Sequence, residues 1–146
     1  MIANRTTSVS SAKSVAEIQA MLVAAKATAL MIDIENEEPS AISFRLVSNG
    51  QPLSFRLPCN WPGVLAALKR ERAIPLRMLN EEHARRVTWR IVRDWLRAQL
   101  SLIEAGATTL EEVMLPWAIL SDGTTLGQTM LTSPNSPLRL THDKRP

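Results

Sequence analysis

The sequence predicts an α+β fold in which a three-stranded antiparallel meander packs against helices. Apolar residues recur at spacings of three and four through residues 80–106, which indicates a long helix. Apolar and polar residues alternate across much of residues 29–58, and Asn49-Gly50 joins two of the alternating segments. The element order is therefore α-β-β-β-α-α, with a long central helix in the C-terminal half and a small helical cap after it.

The chain divides into three parts. Its 146 residues are 45% hydrophobic, which is enough for one core. We expect a flexible arm at residues 1–13, a single globular domain at residues 14–131 and a flexible basic tail at residues 132–146. Ser14 and Glu17 have the spacing of a capping box, so the first helix is predicted from Ser14 to about Ala27.

Strands are predicted at residues 29–36, 41–48 and 51–58. A two-residue turn at Asn49-Gly50 fixes the register of the last two strands. Their six apolar residues then share one face as opposed pairs: Leu46 with Leu53, Phe44 with Phe55, and Ile42 with Leu57. Arg45 and Arg56 fall on the other face, which we expect to be open.

Capping signals delimit the remaining helices. Asn60 is expected to cap a short helix that ends near the cations Lys69, Arg70 and Arg72. Asn80 and Gly106 suit the two ends of the long helix. Beyond it, Thr108 and Thr109 each precede a glutamate by three residues. The pattern continues with a short apolar segment at residues 117–120 and a last helix near residues 125–131.

The long helix carries four arginines, here named the arginine row: Arg86, Arg90, Arg93 and Arg97. Their spacing places them within roughly 60° of one another along about 17 Å of helix. Guanidinium groups in such a row can contact successive phosphates, with Trp89 beside them as a stacking surface. Arg45 and Arg56, the cations after the short helix, and Lys144 and Arg145 in the tail could extend this surface.

The alternative is that the arginine row is an ordinary solvated face. Glu82 lies four residues before Arg86, and Asp94 lies four after Arg90, so exposed ion pairs are available. These pairs would partly neutralise the row. The sequence leaves both interpretations open.

Four tryptophans occur without any tyrosine. Trp95 falls in the apolar stripe of the long helix and is expected in the core, whereas Trp89 lies outside that stripe and is the expected contact residue. Trp61 and Trp117 flank prolines and are expected to close the ends of the core.

Nothing in the sequence indicates catalysis. A lone cysteine, Cys59, excludes an internal disulfide, and His83 and His142 lack metal-ligand spacing. Nucleotide-binding loops and hydrolase elbows are absent. We therefore expect no enzyme activity, no metal and no cofactor. The absence of a long apolar run predicts a cytoplasmic protein without membrane contact.

Several segments resemble a family of small uncharacterised proteins encoded by bacteriophages and prophages. These segments are S-V-A-E-I-Q, S-F-R-L-P and R-V-T-W-R-I-V-R-D-W, and the likeness covers roughly residues 14–130. The resemblance implies a phage accessory protein that acts inside a bacterial host cell. The element order is also similar to that of the double-stranded-RNA-binding domain, although Glu81 and Glu82 stand where that family has lysines.

Three hypotheses follow. The first is a non-enzymatic phage protein that binds nucleic acid or a nucleoprotein complex through the arginine row, supported by a basic pI of about 9.6. The second is an inhibitor or adaptor that binds a host protein such as a defence (CRISPR-type) nuclease, which the small net charge of +3 favours. The third is a homodimer through the long helix.

Overall fold

The structure, a computed structural model, describes residues 1–138. It contains five α-helices and three strands within that range. The helices are α1 (Ser11–Ala24), α2 (Trp61–Arg70), α3 (Glu81–Glu104), α4 (Leu110–Met114) and α5 (Leu126–Thr132), and the strands are β1 (Ala29–Glu35), β2 (Glu38–Ser48) and β3 (Gln51–Arg56). The predicted α+β class and the long helix are confirmed.

The sheet is an antiparallel meander in the order β1-β2-β3. Phe44 lies opposite Phe55, with ring centroids 5.4 Å apart, so the register predicted from the Asn49-Gly50 turn is confirmed. The register of β1 against β2 shifts between Asp33 and Ile34, where β2 has one additional residue.

Three helices, α1, α3 and α4, lie on the apolar face of the sheet, whereas α2 packs on α3. Buried residues of β2 and β3 pack with α1, α3 and α4 in the main core. A second, smaller core lies between α2 and α3 and contains Leu68, Ile74, Ala84 and Val87. Because α3 contributes to both cores, it is the central helix that the apolar pattern predicts.

The caps of α2 and α3 agree with the sequence-based predictions, but that of α1 does not. Asn60 and Asn80 cap α2 and α3 by accepting from backbone amides three residues on. At α1 the cap is Ser10, whose Oγ accepts from the Lys13 amide at 3.1 Å. The predicted capping box is wrong, because Ser14 is buried inside the helix and Glu17 points toward α3.

Residues 2–5, here named the N-terminal strap, lie against α2 and α3. Ile2 packs on the second core, and Asn4 Nδ2 donates to Asp94 Oδ2 at 3.0 Å. His83 Nε2 donates to the carbonyl oxygen of Arg5 at 2.7 Å. These contacts join the first residues of the predicted arm to the helices, and the domain boundaries and the mobility of the arm stay predictions.

The C-terminal segment runs along β3. After α4 a single 3-10 turn (Leu115–Trp117) leads to Ala118, which bridges Phe55. The Ile119 amide donates to the Ser54 carbonyl at 2.8 Å. The predicted short apolar segment is thus an extended stretch beside β3, and among the described residues β1 is the unpaired edge of the sheet.

One buried charge connects three of these parts. The Arg85 side chain is 2% exposed and donates to Glu81 Oε1 at 2.8 Å and to the Pro39 carbonyl at 3.2 Å. Its guanidinium also lies 4.9 Å from the ring centroid of Trp61. Arg85 therefore joins α3 to the start of β2 and to the start of α2.

We expect Arg85→Gln to lower the free energy of unfolding by about 2–4 kcal/mol, because it removes a buried charge and leaves the Pro39 carbonyl with one donor fewer. Arg86→Gln is the matched control, since Arg86 forms an exposed pair with Glu82 and its loss should cost only about 0.5 kcal/mol. Urea unfolding followed by circular dichroism measures both. Equal losses in the two variants would contradict the role of Arg85.

Candidate nucleic-acid interface

Three members of the arginine row are bound to carboxylates. Arg86 Nη1 lies 2.8 Å from Glu82 Oε1. Arg90 Nη1 and Arg93 Nε both lie 2.8 Å from Glu17 Oε2, which belongs to α1. Arg90 and Arg93 therefore face α1 and help to attach that helix to α3.

Asp94 completes this network. Its Oδ1 lies 3.1 Å from Arg93 Nη1 and 3.8 Å from Arg90 Nε. The side chains of Arg90 and Arg93 are 20% and 18% exposed, so they are largely covered by their own chain. Within residues 1–138, Arg97 is the one member of the row without a carboxylate partner.

Arg90 and Arg93 lower the pKa of Glu17. Burial alone would raise the pKa of Glu17, but the charges of Arg90 and Arg93 and their hydrogen bonds outweigh it. The pKa of this carboxyl therefore lies below its usual value of 4.5. The carboxylate is ionised at neutral pH and holds both guanidinium groups.

Two tryptophans of α3 differ from their expected burial. Trp89 is 1% exposed and its Nε1 donates to the Pro39 carbonyl at 3.1 Å, so the expectation of an exposed contact residue is wrong. Trp95, expected inside the core, is only half-buried at its margin. The helix buries a wider face than its apolar stripe indicates, because the sheet packs on one side of α3 and α2 on the other.

Arg45 and Arg56 lie on the open face of the sheet, as predicted, and both are exposed. Arg56 Nη1 is 3.5 Å from the Gly123 carbonyl. The sheet separates these two side chains from α3, so the structure does not bring them together with the arginine row. Lys144 and Arg145, like His142, lie outside the described residues.

A different group of cations is unpaired. The cationic segment, residues 69–77, contains four exposed basic side chains that have no carboxylate partner among residues 1–138: Lys69, Arg70, Arg72 and Arg77. It spans the end of α2 and the loop before α3. The sequence indicated only a supporting role for Lys69, Arg70 and Arg72, and Arg77 was missed. A usable sign was present, since none of the first three has an acidic residue three or four positions away.

The aromatic side chains of the described chain are all buried or half-buried. Leu76, within the cationic segment, is 86% exposed, but none of the large exposed hydrophobic residues in the described range is aromatic. Both phenylalanines are buried on the inner face of the sheet. Stacking on bases would therefore have to use a partly covered ring, that of Trp61, Trp95 or Trp117.

The thiol of Cys59, the lone cysteine, has a raised pKa. Burial raises the pKa of Cys59 to about 11, although the charge of Arg85 opposes part of this rise. The thiol is therefore protonated at neutral pH. Among residues 1–138, no group of His, Cys, Asp and Glu side chains is arranged to hold a metal ion. None of the described helices combines the length and apolarity that a membrane span requires.

The predicted dimer through α3 would have little apolar surface to use. Of the large apolar residues of that helix, Leu102 is the one that is exposed, at 48%. Most of the stripe packs instead on the cores of its own chain. The dimer stays a prediction.

Comparisons with protein-family models, with curated proteins and with solved structures found no match. The resemblances to the phage family and to the double-stranded-RNA-binding domain therefore stay predictions.

The lowered pKa of Glu17 makes a pH effect testable. A carboxyl whose pKa falls on folding contributes stability above its usual pKa of 4.5 and loses it as the pH falls through the folded value. We expect the difference in thermal midpoint between the wild type and Glu17→Gln to be largest near neutral pH and to shrink below pH 4.5. Glu104→Gln, which removes an exposed carboxyl, is the control. A difference that stays constant down to strongly acidic pH would refute the ion-pair assignment.

Proposed function

We propose that this protein is a non-enzymatic nucleic-acid-binding protein that contacts backbone phosphates through the cationic segment. The observation that carries the proposal is the cluster of four exposed basic side chains without carboxylate partners in the described part of the chain. Such side chains can neutralise phosphates without first giving up an internal ion pair. This proposal keeps the function that the sequence favours but moves its site away from the arginine row.

The arginine row is the weaker candidate for phosphate contact. A phosphate that binds Arg90 or Arg93 must displace Glu17, and the displaced carboxylate would remain close to the incoming negative charge. A phosphate that binds Arg86 must likewise displace Glu82, although that ion pair is more exposed. Electrostatics therefore favours the unpaired cations of the cationic segment.

The expected binding mode is independent of base sequence. Phosphate contacts position a protein on nucleic acid, whereas base contacts or stacking give it sequence preference. Four phosphate contacts would give a slope of about −3.6 for the logarithm of affinity against the logarithm of salt concentration on duplex DNA. Weak, salt-sensitive binding of this kind suits an accessory protein of a bacteriophage that acts on phage or host nucleic acid in the bacterial cytoplasm.

A second candidate function is an inhibitor or adaptor that binds a host protein, for example a defence nuclease. The open sheet face favours it, because exposed Met31 (59%) and Val47 (56%) lie on the same face as Arg45 and Arg56. Apolar side chains mixed with arginines are typical of protein interfaces. This candidate uses the face of the sheet that is turned away from the α-helices.

The two functions can be separated by purification from phage-infected host lysate. The tagged protein is captured from two halves of one lysate, of which one is treated with nuclease. Nucleic-acid binding is expected to give material that disappears after nuclease treatment. A single host protein that persists would support the adaptor, and Met31→Asp should then abolish its capture.

The location of the site is tested by two double variants that remove the same charge. Arg70→Gln with Arg72→Gln should weaken binding of a labelled mixed-sequence DNA duplex by about tenfold or more and reduce the salt slope by about 1.8. Arg90→Gln with Arg93→Gln should leave binding near wild type but lower the unfolding midpoint, because Glu17 loses its partners. Fluorescence anisotropy over a salt series measures the affinities.

If the variant of the arginine row loses as much affinity as the variant of the cationic segment, the site is assigned wrongly. If neither variant changes affinity, the proposed phosphate contact is wrong. A parallel series with an RNA duplex of the same sequence shows which nucleic acid binds more tightly.

A further inference from the structure

Glu71 is the only acidic residue within the cationic segment, and the N-terminal strap occupies its carboxylate. The Ile2 amide donates to Glu71 Oε1, and Arg5 Nε lies 3.6 Å from Glu71 Oε2. The Glu71 side chain is 18% exposed, so it is largely covered in this position. The carboxylate is therefore bound to the strap, and it forms no ion pair with Arg70 or Arg72.

The strap holds Arg5 in place from several directions. The carbonyl of Arg5 accepts from Nε2 of His83, which is 1% exposed. Asn4 is bound to Asp94 of α3, and Ile2 packs on the second core. Arg5 is thus fixed beside Glu71 by contacts that do not involve its own charge.

Within residues 1–138, Arg5 is the one charged partner of Glu71, and without it the Ile2 amide alone would compete with Arg70 and Arg72 for the carboxylate. Arg70 and Arg72 are the neighbours of Glu71 in sequence, and both are exposed. Neighbouring residues of opposite charge can pair in this protein, because Arg93 and Asp94 lie 3.1 Å apart. A released Glu71 carboxylate would neutralise one guanidinium group of the cationic segment.

We infer that Arg5 is a positioning residue for nucleic-acid binding, which acts by holding Glu71 away from Arg70 and Arg72. The inference rests on the proposed function, because it concerns the same cationic segment. It assigns a regulatory part to the N-terminal strap: the segment binds phosphates fully only while the strap is docked. Undocking the strap reduces the number of free cations without any change in the fold of α2.

A simpler account must be distinguished from this one. The charge of Arg5 could attract nucleic acid directly, in which case its loss would weaken binding whatever residue stands at position 71. The positioning role instead requires that the loss of Arg5 matters only when Glu71 carries its carboxylate. The positioning role therefore predicts coupling between the effects of substitutions at Arg5 and Glu71, whereas direct attraction predicts none.

A double-variant cycle measures this coupling. The variants are Arg5→Gln, Glu71→Gln and the combination of both, with duplex-DNA affinity and salt slope as readouts. We expect Arg5→Gln to weaken binding about three- to tenfold and to reduce the salt slope by about 0.9. Glu71→Gln should bind at least as tightly as wild type, and the combined variant should bind like Glu71→Gln.

Equal losses from Arg5→Gln in the presence and absence of the Glu71→Gln substitution would overturn the inference, as would no loss in either background. Arg5→Lys should bind like wild type, because lysine can also pair with Glu71, and thermal melts confirm that all variants fold. If the Arg70→Gln, Arg72→Gln variant binds like wild type, the proposed function itself fails. If that variant is weak but the cycle shows no coupling, only the role of Arg5 fails.

Discussion

The buried guanidinium of Arg85 is the interaction on which the arrangement of the other elements depends. It places a charge between α3, the start of β2 and Trp61 of α2, where Glu81, the Pro39 carbonyl and an aromatic ring compensate for the loss of water. Trp89 donates to the same carbonyl and adds a second tie between α3 and the sheet. In this rotation of α3, Arg90 and Arg93 face α1, and Ala84 and Val87 pack in the second core against α2.

The distribution of charge follows from this packing. Three arginines of the arginine row are paired within the chain, where Glu17, Glu82 and Asp94 compensate for their charges. The cations at the end of α2 have no such partners among the described residues, because the strap takes the one nearby carboxylate. A net charge of only +3 therefore conceals a locally uncompensated segment, and local charge decides where a polyanion binds.

Local patterns predicted the elements well, and long-range contacts account for what they missed. The Asn49-Gly50 turn determined the β2–β3 register, and Asn60 and Asn80 gave the starts of two helices, because these features depend on neighbouring residues. The ion pairs of Glu17 join residues 73 and 76 positions apart, which no helical spacing reveals. The burial of Trp89 likewise depends on which elements flank α3. The sequence thus identified most of the basic side chains but not which of them are compensated.

The most direct test of whether DNA contacts the cationic segment and not the arginine row is an NMR titration. It observes the Nε–H groups of the arginines while duplex DNA is added. We predict that the signals of Arg70, Arg72 and Arg77 shift with DNA concentration and return at high salt. The signals of Arg90 and Arg93 should stay where they are in the free protein, because Glu17 and Asp94 retain them. Shifts at Arg90 and Arg93 with none in the cationic segment would contradict the proposed site and show that DNA binds the arginine row.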